Sequence, residues 1–135
     1  MTLNLEPVEV MIKAKRMKAN MKMRQMTRRV SIVLADWCPH CVPLSLENAK
    51  RMAKDLNSEL RVLNIDDPEQ EKVADQLVKE YGDYTPDYLI PQVFLEDDGK
   101  VQHVFTGFSE GVSVTRAKWE ELFVSPYYKK LMKPN

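Results

Sequence analysis

The chain has two cysteines, and they stand three residues apart in Trp37-Cys38-Pro39-His40-Cys41. An apolar run, Val30 to Ala35, precedes them, and apolar residues at helical spacing come after. Residues i and i+3 in a first helical turn lie close enough to close into a small disulfide, and a helix N-terminus favours a thiolate through its unpaired N–H groups and its dipole. The chemistry this predicts is thiol–disulfide exchange. Cys38, the N-terminal and more exposed sulfur, is the expected nucleophile; Cys41, one turn in, is the resolving thiol. His40 brings partial positive charge and an N–H donor to the neighbourhood of Cys38. Pro39 suits a first helical turn, where its missing N–H costs nothing. Trp37 is expected to shield the sulfurs and contact substrate rather than perform chemistry.

A second chemistry uses the same thiols as ligands. One chain supplies two cysteines and two histidines, and His40 lies inside the cysteine pair, where it can hardly turn toward the same ion. A four-ligand metal or iron–sulfur site on Cys38 and Cys41 would therefore span two chains or recruit external thiols. A redox-silent adaptor is a third reading, against which the intact cysteines argue. His103, in a strand with Val101 and Phe105 expected on its face, reads as a packed structural histidine. The eight methionines fall at helical spacing without cysteine or histidine neighbours and read as adaptable core filler, so no metal ligand is expected among them.

For the chain as a whole, 135 residues with 44% hydrophobic and 30% charged side chains suit a single domain spanning 1–135. Such a domain buries roughly two thirds of its unfolded surface without staples. Two cysteines fall far short of a small secreted disulfide scaffold. No apolar run is long enough to cross a membrane, and Glu6, Pro7 and Glu9 break the basic-then-apolar order of a signal peptide. The expectation is a soluble, cytoplasmic monomer with neither nucleic acid nor membrane as partner. Net charge is zero but unevenly spread: residues 1–30 carry eight Lys/Arg against Glu6 and Glu9. Residues 7–28, with Val10, Ala14, Met17 and Met21 on one seam, predict an amphipathic basic helix, so that 1–29 packs on or beside the core.

The elements that must hold the cysteines emerge from pattern. Val30 to Ala35 suits a central parallel strand covered on both faces, delivering Trp37 and Cys38 to the carboxyl edge of a sheet, where reactive groups of open α/β sheets collect. Val42, Leu46, Ala49, Ala53 and Leu56 predict a helix from about 39 to 57, with Pro43 removing an early bond and bending it. Leu60 to Ile65 reads as a second buried strand. Asp67 then caps a helix opened by Pro68, with Val73, Leu77 and Tyr81, plus Ala74 and Val78, as its buried stripe and Gly82 as its end. After a loop holding Tyr84 and Tyr88, which anchor it to the surface, Ile90 to Glu96 is a strand opened by Pro91. Asp97-Asp98-Gly99-Lys100 turns it into a hairpin with Val101 to Thr106. Ser113 or Thr115 caps a last helix burying Trp119, Leu122 and Phe123 and stopped by Ser125-Pro126; the tail beyond carries no signal.

That order, with Cys-x-x-Cys after the first strand and a proline opening the third, resembles the thioredoxin fold: α/β, a central mixed sheet of about four strands flanked by helices, here with an N-terminal amphipathic helix. Ile90-Pro91 is similar to the family's cis-proline, and the resemblance implies that Pro91 faces the disulfide and, with Ile90 and Trp37, holds substrate backbone. Leu63-Asn64-Ile65-Asp66 and Thr106-Gly107 also resemble thioredoxin stretches. The family implies a protein thiol–disulfide oxidoreductase with no cofactor beyond the redox-active Cys38–Cys41 disulfide, protein disulfides or dithiols as substrates, and a reductase or other thiol as electron donor. Pro39-His40 departs from the thioredoxin Gly-Pro and is similar to the periplasmic disulfide oxidases, while Cys-Pro-x-Cys is also the glutaredoxin arrangement. A better-stabilised Cys38 thiolate makes the disulfide more oxidising. The spread between thioredoxin and those oxidases is about 150 mV, on the order of 7 kcal/mol, so the dipeptide can shift the site by several kcal/mol. The buried carboxylate and lysine that thioredoxins keep beneath the resolving cysteine are matched by Ile32 and Val62, leaving Asp36 a weak candidate proton acceptor. No glutathione-binding Gly-Gly segment comes after Thr106, which argues against glutathione as donor.

Overall fold

A strand of Val, Ile and Leu covered on both faces must be central, and β1 (Arg29–Leu34) is: it pairs with β2 (Glu59–Asn64) in parallel on one side and with β3 (Gln92–Asp97) antiparallel on the other. β4 (Lys100–Thr106) closes the order β2-β1-β3-β4. In this computed structural model, residues 28–108 and 110–133 are described. The expected basic helix over 7–28 therefore lies outside the described residues, except that Arg28 is non-helical and Arg29 already belongs to β1.

Helices α1 (Leu46–Asp55), α2 (Pro68–Tyr81), α3 (Val112–Phe123) and α4 (Pro126–Leu131) cover the sheet. Alternation along the strands divides the core in two. Val30, Ile32, Leu34, Val93 and Leu95 pack with α1, α3 and α4 through Ala49, Met52, Trp119, Phe123 and Tyr128. Val33, Leu63 and Phe94 face Ala74, Leu77 and Val78 of α2 on the other side. An aromatic stack runs through the larger core: Phe105 on Trp119 at 4.1 Å between centroids, Trp119 on Phe123 at 5.7 Å, and Tyr128 edge-on to Phe123 at 5.0 Å.

Local signals account for the element ends. Asp67 Oδ1 accepts from the N–H groups of Glu69 (2.9 Å) and Gln70 (3.2 Å), with Pro68 at the first helical position. Asp98 (φ 54) and Gly99 (φ 83) both take left-handed conformations, the backbone of a two-residue turn matched to strand twist.

The structure corrects several sequence expectations. Among the described residues, β2 stands at the edge of the sheet, with Val62 38% exposed, rather than being a buried strand. The buried stripe of α2 is Ala74, Leu77 and Val78; Val73 and Tyr81 are exposed, because a helix on one sheet face hides only its innermost arc. In β4 the register slips between Val93↔Phe105 and Phe94↔His103, a bulge that turns Phe105 to the face opposite Val101 and His103. His103 packs edge-on to the Phe94 ring at 5.5 Å. The tail after Ser125 is a helix: Ser125 Oγ accepts from the Tyr128 N–H (3.1 Å), and the Tyr128 hydroxyl reaches Asp55 at 2.8 Å.

Candidate active site

β1 delivers the chain to the sheet edge at Ala35, and three backbone bonds fold the next seven residues. Cys38 N–H donates to Ala35 C=O (3.1 Å), and the N–H groups of Cys41 (2.9 Å) and Val42 (3.1 Å) both donate to Cys38 C=O. The two sulfurs thus share one tight turn, as the spacing predicts. The helix does not continue from it. Val42 is extended (φ −129°, ψ 126°), the Val42–Pro43 bond is cis, and regular helix begins at Leu46 rather than near residue 39. A proline disfavours helical backbone in the residue before it, so Pro43 sets Val42 aside and separates the reactive turn from α1. Cys38 therefore precedes α1 by more than the single turn over which a helix dipole acts. Behind the turn, Trp119 Nε1–H donates to buried Ser45 Oγ at 2.8 Å, fixing α3 against the segment after Cys41.

Both cysteines are free thiols. Cys38 is 6% exposed and Cys41 is fully buried, so the expected order of access holds, but Cys38 is a recessed sulfur and not an open one. The Cys41 thiol is pushed well above its ordinary range, first by burial and then by its hydrogen bond to Cys38 and the charge of that neighbour; a backbone hydrogen bond at Ala35 works in the opposite direction. Cys41 therefore keeps its proton at neutral pH. Ile32, fully buried, lies opposite Val62 in the parallel register; among the described residues, the groups acting on Cys41 are Cys38 and the Ala35 backbone. Asp36 is exposed and accepts from Asn64 Nδ2 at 3.1 Å.

The remaining sequence candidates surround this turn or enter the sheet beside it. Trp37 is 67% exposed and its Nε1–H donates to Asp66 at 3.3 Å. Pro39 is exposed in the turn, and His40, half-buried, has Nδ1 2.8 Å from Thr115 Oγ1. The Ile90–Pro91 bond is cis. The antiparallel register sets Gln92 opposite Val33, so Pro91 arrives beside the last residue of β1, at the edge from which the cysteine turn departs. Ile90 packs on the core cluster that contains both cysteines. Among the described residues, no group of three or more His, Cys, Asp or Glu stands together as a metal site.

Gly107, Gln92 and Thr115, which sequence reasoning did not assign to the site, hold it in place, together with Tyr88 in its expected anchoring role. Gly107 N–H donates to Pro91 C=O at 2.8 Å, and a Cβ there would fall 2.5 Å from Pro91 Cδ; only glycine permits this approach. Gln92, fully buried, accepts from Asp83 N–H (3.0 Å) and donates to the carbonyls of Asp83 (3.1 Å) and Leu89 (3.0 Å), pinning the loop ahead of Pro91. Tyr88 anchors the same loop, its hydroxyl donating to Asp75 at 2.6 Å. Thr115, expected as a helix cap, is inside α3, whose N-cap is Gly111, and is fully buried against His40 and Phe108. A polar residue between Pro91 and Val93 was the one available sequence signal for Gln92.

No family model matches the sequence, and no curated protein does. Solved structures similar to the chain include a thioredoxin from Fasciola hepatica, 17% identical with a TM-score of 0.41, covering 80% of this chain and 92% of that one. Thioredoxin O2 from Arabidopsis thaliana in its oxidized state is 15% identical, TM-score 0.47, over 78% and 89%. Glutaredoxin 1 from Francisella tularensis, complexed with cacodylate, is 21% identical, TM-score 0.37, over 73% and 100%. The sheet order, the Cys-x-x-Cys turn leaving the edge of β1 and the proline entering β3 together make this a thioredoxin-like fold.

Proposed function

We propose that the protein is a thiol–disulfide oxidoreductase that exchanges electrons with protein disulfides through Cys38 and Cys41. The observation that carries this reading is the pairing of two unlike thiols in one turn, Cys38 marginally accessible and Cys41 fully buried, at the sheet edge where Pro91 enters β3. The Cys38 thiolate attacks one sulfur of a substrate disulfide; the Cys38–substrate bond forms, the substrate bond breaks, and the departing thiolate takes a proton from water. Cys41 then loses its proton to water and attacks Cys38; the Cys38–substrate bond breaks, the second substrate sulfur leaves as a thiolate and takes a proton from water, and the Cys38–Cys41 disulfide remains. Counting the proton that Cys38 gives to water on forming its thiolate, the substrate gains two electrons and two protons and the enzyme loses them. A dithiol protein or other thiol donor restores the pair, and the reverse sequence oxidises a substrate dithiol; the potential of the compartment sets the direction.

Trp37, Ile90 and Pro91 serve as the substrate surface in this reading. A groove of about 520 Å³, lined by Leu89, Gly107, Phe108 and Leu122 together with the charged Lys118 and Glu121, lies beside the segments bonded to Pro91. The reading also has the protein acting as a soluble cytoplasmic monomer without nucleic acid; among the described residues no helix is long and apolar enough to cross a membrane. The test is trapping. With Cys41→Ser, a disulfide-bonded peptide should accumulate as a mixed disulfide on Cys38, seen as an added mass released by dithiothreitol. With Cys38→Ser no adduct should form. Adducts of equal yield on both variants would overturn the assignment of roles.

A further inference from the structure

Thr115 carries a hydroxyl where α3 has no use for one. It lies within the helix, fully buried, and a valine would fill the same space without a polar atom to satisfy. A helical threonine ordinarily turns its hydroxyl back to a carbonyl of its own helix. Here the hydroxyl looks outward instead: Phe108 N–H donates to it at 3.1 Å, Phe108 C=O lies 3.4 Å away, and His40 Nδ1 lies 2.8 Å away. One side-chain oxygen joins the cysteine turn, α3 and the segment after Gly107, itself bonded to Pro91.

The hydroxyl has one proton and two lone pairs. Phe108 N–H occupies one lone pair. If His40 carried its hydrogen on Nδ1, the hydroxyl proton would be left with the Phe108 carbonyl at 3.4 Å, beyond the usual O–H···O range of about 2.5–3.0 Å. With Nδ1 bare, the proton has an acceptor at 2.8 Å. Which ring nitrogen of a neutral histidine is protonated depends on the bond the other one makes. Among the described residues, Nε2 of His40 has no protein partner. We propose that Thr115 is a positioning residue for the exchange site: it holds neutral His40 as the Nε2–H tautomer and commits Nδ1, so that any hydrogen bond His40 gives during exchange leaves from Nε2. The inference rests on the exchange reading above and adds no covalent step, since His40 donates a hydrogen bond and keeps its proton.

Two measurements test it. In reduced protein labelled with 15N-histidine, with His103→Asn for assignment, the neutral His40 ring should show a protonated Nε2 and a bare Nδ1; the opposite tautomer overturns the proposal. In a double-mutant cycle, Thr115→Val should change the equilibrium constant for exchange with a glutathione redox buffer roughly tenfold in the parent, as expected for one lost hydrogen bond, and less than about twofold in a His40→Ala background. Thr115→Ser, which keeps the hydroxyl, should stay within about twofold of the parent. Equal effects of Thr115→Val in both backgrounds mean a structural residue only and overturn it. Should Thr115→Val not fold, the tautomer decides. Should no Cys38–Cys41 disulfide form in any buffer, the exchange reading fails while the tautomer is still read.

Discussion

The two ends of β1 treat polar atoms in opposite ways. At its start, Glu96 accepts from Arg29 Nε (3.1 Å) and Nη2 (2.8 Å), Ser31 Oγ (2.7 Å) and Arg61 Nη2 (3.0 Å), while Arg61 Nε donates to Ser31 Oγ (3.0 Å). Burial alone would raise the Glu96 pKa, but the bonds from Arg29 and Ser31 and the charge of Arg61 hold it below the ordinary carboxylate range. Past the far end of the same strand, Cys41 is buried, among the described residues no charged side chain acts on it apart from Cys38, and its pKa moves up. A carboxylate answered by its neighbours keeps its charge and stabilises the fold; a thiol buried without a counter-charge keeps its proton until the exchange step calls on it. The sheet thus has a closed end and a chemical end, joined by the apolar run Ile32-Val33-Leu34.

The sharpest way to break this contrast is to remove the sulfurs. Cys38→Ser should reduce disulfide exchange to the uncatalysed background while leaving the thermal midpoint nearly unchanged, because a near-isosteric atom replaces it in a turn held by backbone bonds. A large loss of stability would make Cys38 a structural residue instead. The pH dependence of the resolving step sharpens the same point. Because the Cys41 pKa is raised, its thiolate is scarce at neutral pH and grows more plentiful as pH rises. In the parent protein mixed with excess peptide disulfide, release of the peptide from its Cys38 mixed disulfide should accelerate steadily through pH 9, read by stopped-flow; a plateau near neutrality would mean an unseen base.

At the closed end the expected effect is on stability alone. Glu96→Gln should cost about 1–3 kcal/mol, discounted because the network is partly solvated, with no change in exchange equilibrium. Its sign with pH is fixed: a carboxylate whose folded pKa is depressed contributes stability above its unfolded value of about 4.3, lost as pH falls through the folded value. The parent should therefore lose its advantage over the variant on acidification, in urea melts at pH 7 and pH 3. Gly107→Ala joins the two ends, since its Cβ would press on Pro91; it should cost about 1–3 kcal/mol and also raise KM for a peptide substrate. The smallest effect belongs to Ser125→Ala, which removes the cap of α4 for about 1 kcal/mol with exchange unaffected.

What the sequence made legible was whatever local chemistry decides. Asp67-Pro68 announced α2, Asp98-Gly99 announced the hairpin, and the spacing of Cys38 and Cys41 announced a shared turn; each depends on a few adjacent residues. Ser125-Pro126 carries the same cap-then-proline grammar as Asp67-Pro68 and opens α4, yet it comes so soon after α3 that it reads as a stop. The bulge in β4 was hidden because a register slip depends on the partner strand, not on the alternation within β4 itself. Pro43 was legible as a bend, while its displacement of Val42 moved the helix start to Leu46. Gln92, Gly107 and Thr115 act on segments distant in the chain, so no local pattern marks them as parts of the site.

The most direct test of the central claim is equilibration of the purified protein in thiol buffers of set potential, with alkylation and mass measurement of each sample. The expected result is one two-electron transition, two alkylatable thiols becoming none, with a midpoint more oxidising than the roughly −270 mV of thioredoxin. Two thiols alkylated at every potential, or protection of the pair by a bound metal shared between two chains, would contradict it.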